Sequence, residues 1–555
     1  MKKWLLLVGP ALLFIAGCGT DLPPESVYDV ADFRADKHKV PRPRCNQYNE
    51  QRNAYFGDLH VHTSISNDAY SFGNRVTPDG AYRYAFGDNV GLPLGDDLQA
   101  REAKIDRPLD FAGVTDHAEF FGEGVLCFDK SGPAYNNDFC EIFRTGTGRE
   151  PALLTKITAP IPLRDKETCG GDGEACTQAA EGVWADTIAV AERWNDTSVD
   201  CERTTFVAYE YSSFRMGNNL HRNVIFRNAV VPQRPVSYLD AIREWDMWRI
   251  LKERCIDGSE ECDVLAIPHN SNISNGRMFK VDYPGASTRE EKIARAKLRM
   301  EIEPVIEIMQ HKGDSECRND LNGVLGGVDE LCDFERFENL ALSLKHGDDP
   351  VGDCYDGPLM DWKPNLGPTC LTRNSYVRYA LTEGLKQEAE LGVNPFKFGI
   401  TASTDTHNGL AGGVTEKSFP GHLGLGDATA AQRVQYTSEI AGNTSNNPGG
   451  LIGVWAEENS RDVLFDSIKR KEVFGTSGPR IQPRFFGGWE LPEDLCGNPD
   501  MIAKAYDMAA PMGGDLPVKT GSAPRFLVSA LADAGSAEFP GMPLQRLQVI
   551  KGWSD

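Results

Sequence analysis

Seven short segments of this chain set metal-binding side chains at the ends of apolar, β-forming runs. They are Asp58-Leu59-His60-Val61-His62, Asp116-His117, Glu210, His221, His269, Glu307 and Asp405-Thr406-His407. Six of the 10 histidines in the protein fall in this set. Groups so distant in sequence reach one centre only where strands lie side by side with their ends gathered at one rim. That requirement restricts the fold to a sheet, open or closed, whose strand ends converge.

The rest of the pattern agrees with such a sheet. Runs rich in Val, Ile and Phe, bounded by Gly, Asn or Asp, predict strands at Tyr55–Val61, Asp110–Thr115, Thr205–Tyr211, Asn223–Arg227, Val264–Pro268, Val305–Met309 and Lys397–Ser403. Between several of them lie helical periods at Val183–Trp194, Tyr238–Leu251 and Ser287–Met300, the last opening with Ser287 and Glu290 at capping-box spacing. Trp245 and Trp248 stand at helical spacing and are expected in the core. Alternating elements predict an α/β protein with a parallel sheet, barrel-like because its polar residues collect at the strand ends. Helix Arg461–Arg470 with the following run Glu472–Ser477 would complete it. The connections 120–180 and 312–375 are long and cysteine-bearing, and read as lids or rims. After Pro479, isolated strand-like runs at Arg484–Phe486, Arg525–Ser529 and Leu544–Ile550 predict a small β-rich C-terminal unit, residues 481–555.

The chain begins with Lys2 and Lys3, an apolar run from Trp4 to Ala16, and Ile15-Ala16-Gly17-Cys18. This resembles a bacterial lipoprotein signal, which makes residues 1–18 the signal peptide and Cys18 the lipid-bearing first residue of the mature protein. Gly19 after the cysteine leans, by family analogy, toward the outer membrane, with the protein facing the periplasm. Residues 19–50, with Pro23-Pro24 and Pro41-Arg42-Pro43, read as a polar spacer. Export accounts for the 14 cysteines. With no CxxC pair, loop-stapling disulfides fit better than a cysteine zinc site. Proximity suggests Cys127/Cys140, Cys169/Cys176, Cys255/Cys262, Cys317/Cys332 and Cys354/Cys370, leaving Cys45, Cys201 and Cys496 with at least one thiol unpaired. The formal net charge of −23 repels nucleic-acid phosphates, and no basic stripe offsets it.

His60 and His62 lie two residues apart, on one face of a strand, so both imidazoles can enter one cavity. Asp68 follows six residues on; Val114-Thr115-Asp116-His117 and Ser403-Thr404-Asp405-Thr406-His407-Asn408 end other strands, and Glu210, His221 and His269 supply intermediate ligands. This order of motifs resembles the PHP (polymerase and histidinol phosphatase) superfamily of metal-dependent phosphoesterases. The contexts Phe56-Gly57-Asp58-Leu59-His60, His221-Arg222-Asn223 and Pro268-His269-Asn270 are most similar to exported PHP-like proteins. The resemblance implies a distorted (β/α)7–8 barrel over residues 51–480, with long disulfide-stapled loops.

It also implies two to three divalent transition-metal ions, Zn, Mn or Fe. His60, His62 and Asp405 would hold one, with Glu210 bridging it to a second held by His221 and His269; Asp68, His117 and His407 would bind a third. Asp68 stands where many relatives have histidine, which makes that third site harder. Asp58, Asp116 and Glu307 are expected behind the ligands, the two aspartates orienting imidazole N–H groups. Arg222 and Lys312 are candidates to neutralise a transferring phosphoryl group, Arg222 equally to form a salt bridge. His311 would protonate a leaving group or serve as an extra ligand, and Asn270 and Asn408 would donate to substrate. His38, His346 and His422 read as ordinary surface histidines. The expected activity is hydrolysis of a small phosphate ester, a monoester before a diester, with Glu210, Arg222, His311 and Lys312 in the catalytic set. Hydrolysis of another ester, an amide or a phosphonate is the second reading, and a non-catalytic metal-bearing lipoprotein the third.

Overall fold

The computed structural model describes residues 42–554 apart from 95–96, 146–161, 216–217, 320, 322–326, 338–371, 418, 435–445, 519–520 and 539. The signal segment, Cys18, His38, His346 and the Cys354/Cys370 pair lie outside the described residues. Among the described residues no helix is long and apolar enough to cross a membrane.

The strands in chain order are β1 (Asn53–Asp58), β2 (Val90–Leu94), β3 (Asp97–Ala103), β4 (Phe111–Gly113), β5 (Thr204–Ser213), β6 (Leu220–Phe226), β7 (Val264–Pro268), β8 (Val305–Gln310), β9 (Gly313–Asp314), β10 (Gly399–Ala402), β11 (Leu451–Ala456), β12 (Val473–Thr476), β13 (Gln482–Gly488), β14 (Ala510–Pro511) and β15 (Arg525–Leu531). A seven-stranded sheet in the order β12-β11-β1-β4-β5-β6-β7 curls into a half-barrel. A second sheet, β10-β8-β9, packs against its edges, β8 against β7 and β10 against β12.

The expectation of a parallel sheet holds for part of the strands. Only β1-β4-β5 and β8-β10 pair in parallel, whereas β5-β6-β7 and β1-β11-β12 are antiparallel. Residues 214–219 between β5 and β6 are too few for a helical crossover, so the chain must return beside itself. His221 is therefore the second residue of its strand, and the reversed direction still delivers it to the rim where the other strands end.

Side-chain alternation explains why the site lies at that rim. On β5 the inward positions read Phe206, Ala208, Glu210; across β7 they read Leu265, Ile267, His269, and on β8 Val305 then Glu307. The apolar members form one buried cluster with Leu59, Ile225, Ile452 and Val454. Helix Arg461–Lys469 adds Leu464, Phe465 and Ile468 to it. Each inward column thus turns within two residues from apolar to a candidate ligand or, on β8, to Glu307 behind His60. On the outer face, helix Glu174–Trp194 sets Trp184 edge-on to Tyr209 at 5.6 Å. Trp245 and Trp248 pack edge-to-face at 4.6 Å in the buried core, as expected. The capping box of helix Arg289–Ile302 uses Thr288 and Glu291, one residue beyond the expected pair.

Five disulfides are present among the described residues. Cys127–Cys140, Cys169–Cys176, Cys255–Cys262 and Cys317–Cys332 join neighbours as expected, and Cys496 is free and exposed. Cys45–Cys201 spans 156 residues, a pairing that proximity in sequence could not show. The 120–180 connection is more than a rim. Its helices Phe121–Phe128 and Asp138–Thr145 enclose a small core of Phe120, Phe139 and Phe143 around Cys127–Cys140. Near the C-terminus β14-β13-β15 form an antiparallel sheet over Phe486, Leu491 and Leu527, while the expected strand 544–550 forms none.

Candidate metal centre

The two oxygens of Glu210 divide the histidines into two groups. Oε1 lies 2.6 Å from His221 Nδ1 and 3.1 Å from His269 Nε2. Oε2 lies 3.2 Å from His62 Nε2, 3.3 Å from His117 Nδ1 and 3.6 Å from His60 Nε2. Asp405 Oδ1 closes the second group, 3.2 Å from His60 Nε2 and 3.0 Å from His62 Nε2. Four donors around one ion at the usual 2.0–2.2 Å would stand roughly 3.4 Å from one another, the spacing seen here. Asp68 Oδ2 reaches His117 Nε2 at 2.8 Å and His407 Nε2 at 2.9 Å, a third group that His62 adjoins. All nine residues named as metal ligands are thus brought to one place, and these buried groups can hold metal ions.

The donor chemistry fits. Glu210 Oε2, His62 Nε2 and Asp405 Oδ1 are buried without a hydrogen-bond partner although they converge. Orphaned buried donors and acceptors are costly unless something satisfies them. Burial, then His407, pushes His62 down to about 3, and burial, then His60, pushes His269 down to about 3, so both imidazoles keep a free lone pair at neutral pH. Burial alone would raise the carboxyls. His117, His221 and His269 nevertheless hold Glu210 well below its ordinary range, and His60 with Lys312 does the same for Asp405. The centre thus presents carboxylates with neutral His62 and His269, whereas against burial Asp405 raises His60 and Asp68 raises His117 to about 10, protons that a divalent metal ion would displace on binding.

Neighbouring groups aim these ligands. His60 Nδ1 lies 3.1 Å from Glu307 Oε1, and His62 Nδ1 lies 3.1 Å from Ser66 Oγ. His407 Nδ1 lies 2.9 Å from the Asp405 carbonyl, and Ser212 Oγ meets His117 Nδ1. Gln310 donates from Nε2 to Asp405 Oδ2 and to Asn270 Oδ1, both at 2.6 Å. Asp405 and Asn270 hold left-handed backbone, φ 55° and 54°, which short polar side chains tolerate best. Gln310, Ser66 and Ser212 went unnoticed in the sequence because hydrogen-bonding residues at strand ends carry no distinctive spacing.

Several expected roles change. Asp58 and Asp116 hold backbone amides and threonine hydroxyls rather than imidazoles. Asp58 accepts from Thr404 Oγ1 at 2.5 Å and Gly412 N at 2.7 Å, and Asp116 accepts from Thr63 N at 2.5 Å and Oγ1 at 2.7 Å. Arg222 points to the outer face, where its Nε donates to Glu303 Oε1 at 2.8 Å, because it alternates with His221 on β6. It is a salt-bridge residue, buried against Glu303. Asn408 is occupied by Gly421 O and Gly424 N, which leaves it shaping a loop. Lys312 Nζ contacts Asp405, and His311 Nε2 stands 3.4 Å from Asp405 Oδ2. Burial, then Lys312, holds His311 well below the usual imidazole range, which suits a lone-pair donor better than a proton donor. His422, expected at the surface, is buried at 1% exposure beside His311.

A family model described as "Protein of unknown function (DUF3604)" matches residues 49–555. No curated protein and no solved structure matches the chain.

Proposed function

The chain belongs to the DUF3604 family of proteins of unknown function, and on that footing we propose that it is a metal-dependent hydrolase of small phosphate esters, monoesters before diesters. The observation that carries this reading is the split of Glu210, one oxygen toward His221 and His269 and the other toward His60, His62 and His117. A carboxylate so placed suits a bridge between two ions of a dinuclear site. The order of motifs along the chain, similar to the PHP superfamily, and a PHP-type barrel completed by the β8–β10 sheet belong to the same proposal.

When bound, two divalent ions supply a water of lowered pKa and neutralise phosphoryl oxygens. The chain's own part is to hold and orient. Glu307 and Ser66 keep the Nε2 atoms of His60 and His62 facing inward. Lys312, mostly buried beside Asp405, places an ammonium where a phosphoryl group would carry charge. His311 adds a neutral imidazole next to it. The protein would act from the outer membrane toward the periplasm, tethered through lipid on Cys18, in line with its buried disulfides.

Elemental analysis of the purified protein, with a parallel panel of aryl phosphate, aryl phosphodiester, aryl sulfate and carboxyl ester, tests the proposal. Two to three transition-metal ions per chain and metal-dependent release from the phosphomonoester are expected. Metal-loaded protein that hydrolyses only the sulfate or the carboxyl ester would overturn it.

A further inference from the structure

A cavity of about 140 Å³ opens beside the metal centre and shares His311 with it. We propose that this cavity receives the alcohol portion of the substrate, and that the alcohol is a small, uncharged polyol or sugar. The inference rests on the phosphomonoesterase reading and names its substrate class.

Both walls are tied to the centre. The His422 carbonyl accepts from His407 N at 2.8 Å, and Asn447 N donates to the His311 carbonyl at 3.1 Å. A phosphoryl group at the cluster would therefore direct its ester oxygen past His311 into this space. Its volume is close to that of a cavity that admits one six-membered ring.

The lining specifies a hydroxyl-bearing ligand. His422 spends Nε2–H on the Pro448 carbonyl at 2.8 Å, so its buried Nδ1 is a lone-pair acceptor without a partner. Asn446 has both Nδ2 and Oδ1 buried and unpartnered, and so has His311 at Nδ1. A hydroxyl donates and accepts at once and can satisfy such a mixture. A phosphate or carboxylate would set its oxygens against the Nδ1 and Oδ1 lone pairs. One guanidinium, Arg433, and one carboxylate, Asp427, leave the lining without net charge. The Asp427 carboxylate is occupied by His422 N at 2.7 Å and Leu423 N at 2.8 Å. Phe419, 4.9 Å from the His422 ring, offers a flat apolar wall to the carbon face of a polyol or sugar ring.

The test compares kcat/KM of the metal-loaded full chain for glucitol 6-phosphate, phosphoserine and 4-nitrophenyl phosphate, in the wild type and in Asn446→Leu. The polyol ester is expected to exceed phosphoserine at least tenfold, and Asn446→Leu to lower the polyol-to-aryl ratio by at least tenfold. Saturation-transfer NMR with free glucitol adds a readout independent of turnover, with signal in the wild type and loss in the variant. Should leucine disturb the fold, Asn446→Ala serves the same comparison. Turnover of the aryl ester with no polyol preference and no glucitol signal overturns the pocket alone. A glucitol signal that Asn446→Leu removes, with no phosphatase activity toward any ester, supports the pocket and overturns the phosphoesterase reading.

Discussion

His60 and Glu307 face each other at 3.1 Å between Nδ1 and Oε1, and this contact turns the opposite ring nitrogen toward Glu210 and Asp405. Both residues are about 1% exposed, so solvent offers no substitute partner. Losing such a support ordinarily costs ten- to a hundredfold in metal affinity. Glu307→Ala should therefore release metal at roughly ten- to a hundredfold lower chelator concentration than the wild type, followed by elemental analysis after dialysis, while Glu307→Gln keeps part of the effect. Unchanged retention would remove Glu307 from the centre.

Substituting a presumptive ligand should be more severe. His60→Ala and Asp405→Ala are expected to lower metal-dependent phosphate release by at least about a hundredfold, beyond the loss typical of a supporting residue, with circular dichroism close to wild type. Full activity in either variant would count against the proposed centre.

Arg222 supplies the contrasting case. It is buried with Glu303, which also accepts from Trp248 Nε1 at 3.0 Å. Arg222→Met leaves Glu303 with Arg299 as its remaining guanidinium partner, at 3.2 Å, and should cost about 2 kcal/mol of stability, read from denaturant unfolding, with metal content per folded chain unchanged. Loss of metal without loss of stability would return Arg222 to the site.

The Cys45–Cys201 bond closes 156 residues, against 7 for Cys255–Cys262. Chain entropy favours the longer closure by about 5 kcal/mol against about 2 kcal/mol. The double variant Cys45→Ser with Cys201→Ser should accordingly melt at a lower temperature than Cys255→Ser with Cys262→Ser. The reverse order in calorimetry would refute this.

Asp533 ties the C-terminal region to the segment preceding β4 through Arg107, at 2.6 and 2.7 Å, and accepts from Arg480 N at 2.7 Å. The Arg107 hydrogen bonds hold its carboxyl well below the usual range. The unfolded chain therefore binds more protons in acid, so this contribution is complete above about pH 4 and fades as pH falls further. Asp533→Asn should be less stable than the wild type at pH 7, and the difference should narrow toward pH 3. A melting-temperature gap that stays constant across that range would exclude this linkage.

Strand and helix positions were legible because apolar periodicity reports burial directly, as at β5, whose ten residues are all buried. Strand direction was not legible, since antiparallel β6 shows the same inward alternation as a parallel strand would. His422 was misjudged because its burial comes from Pro448 and Asp427, partners in a loop that has no period.

The amino-acid sequence by itself determined which side chains could share a cation, because imidazole and carboxylate chemistry travels with residue identity and strand-end position. Only the tertiary structure decided which of them meet, that Glu210 divides its oxygens between two groups, and that Arg222 turns away. The reason is physical. Side-chain alternation depends on strand pairing and direction, and these are set by contacts between segments remote along the chain.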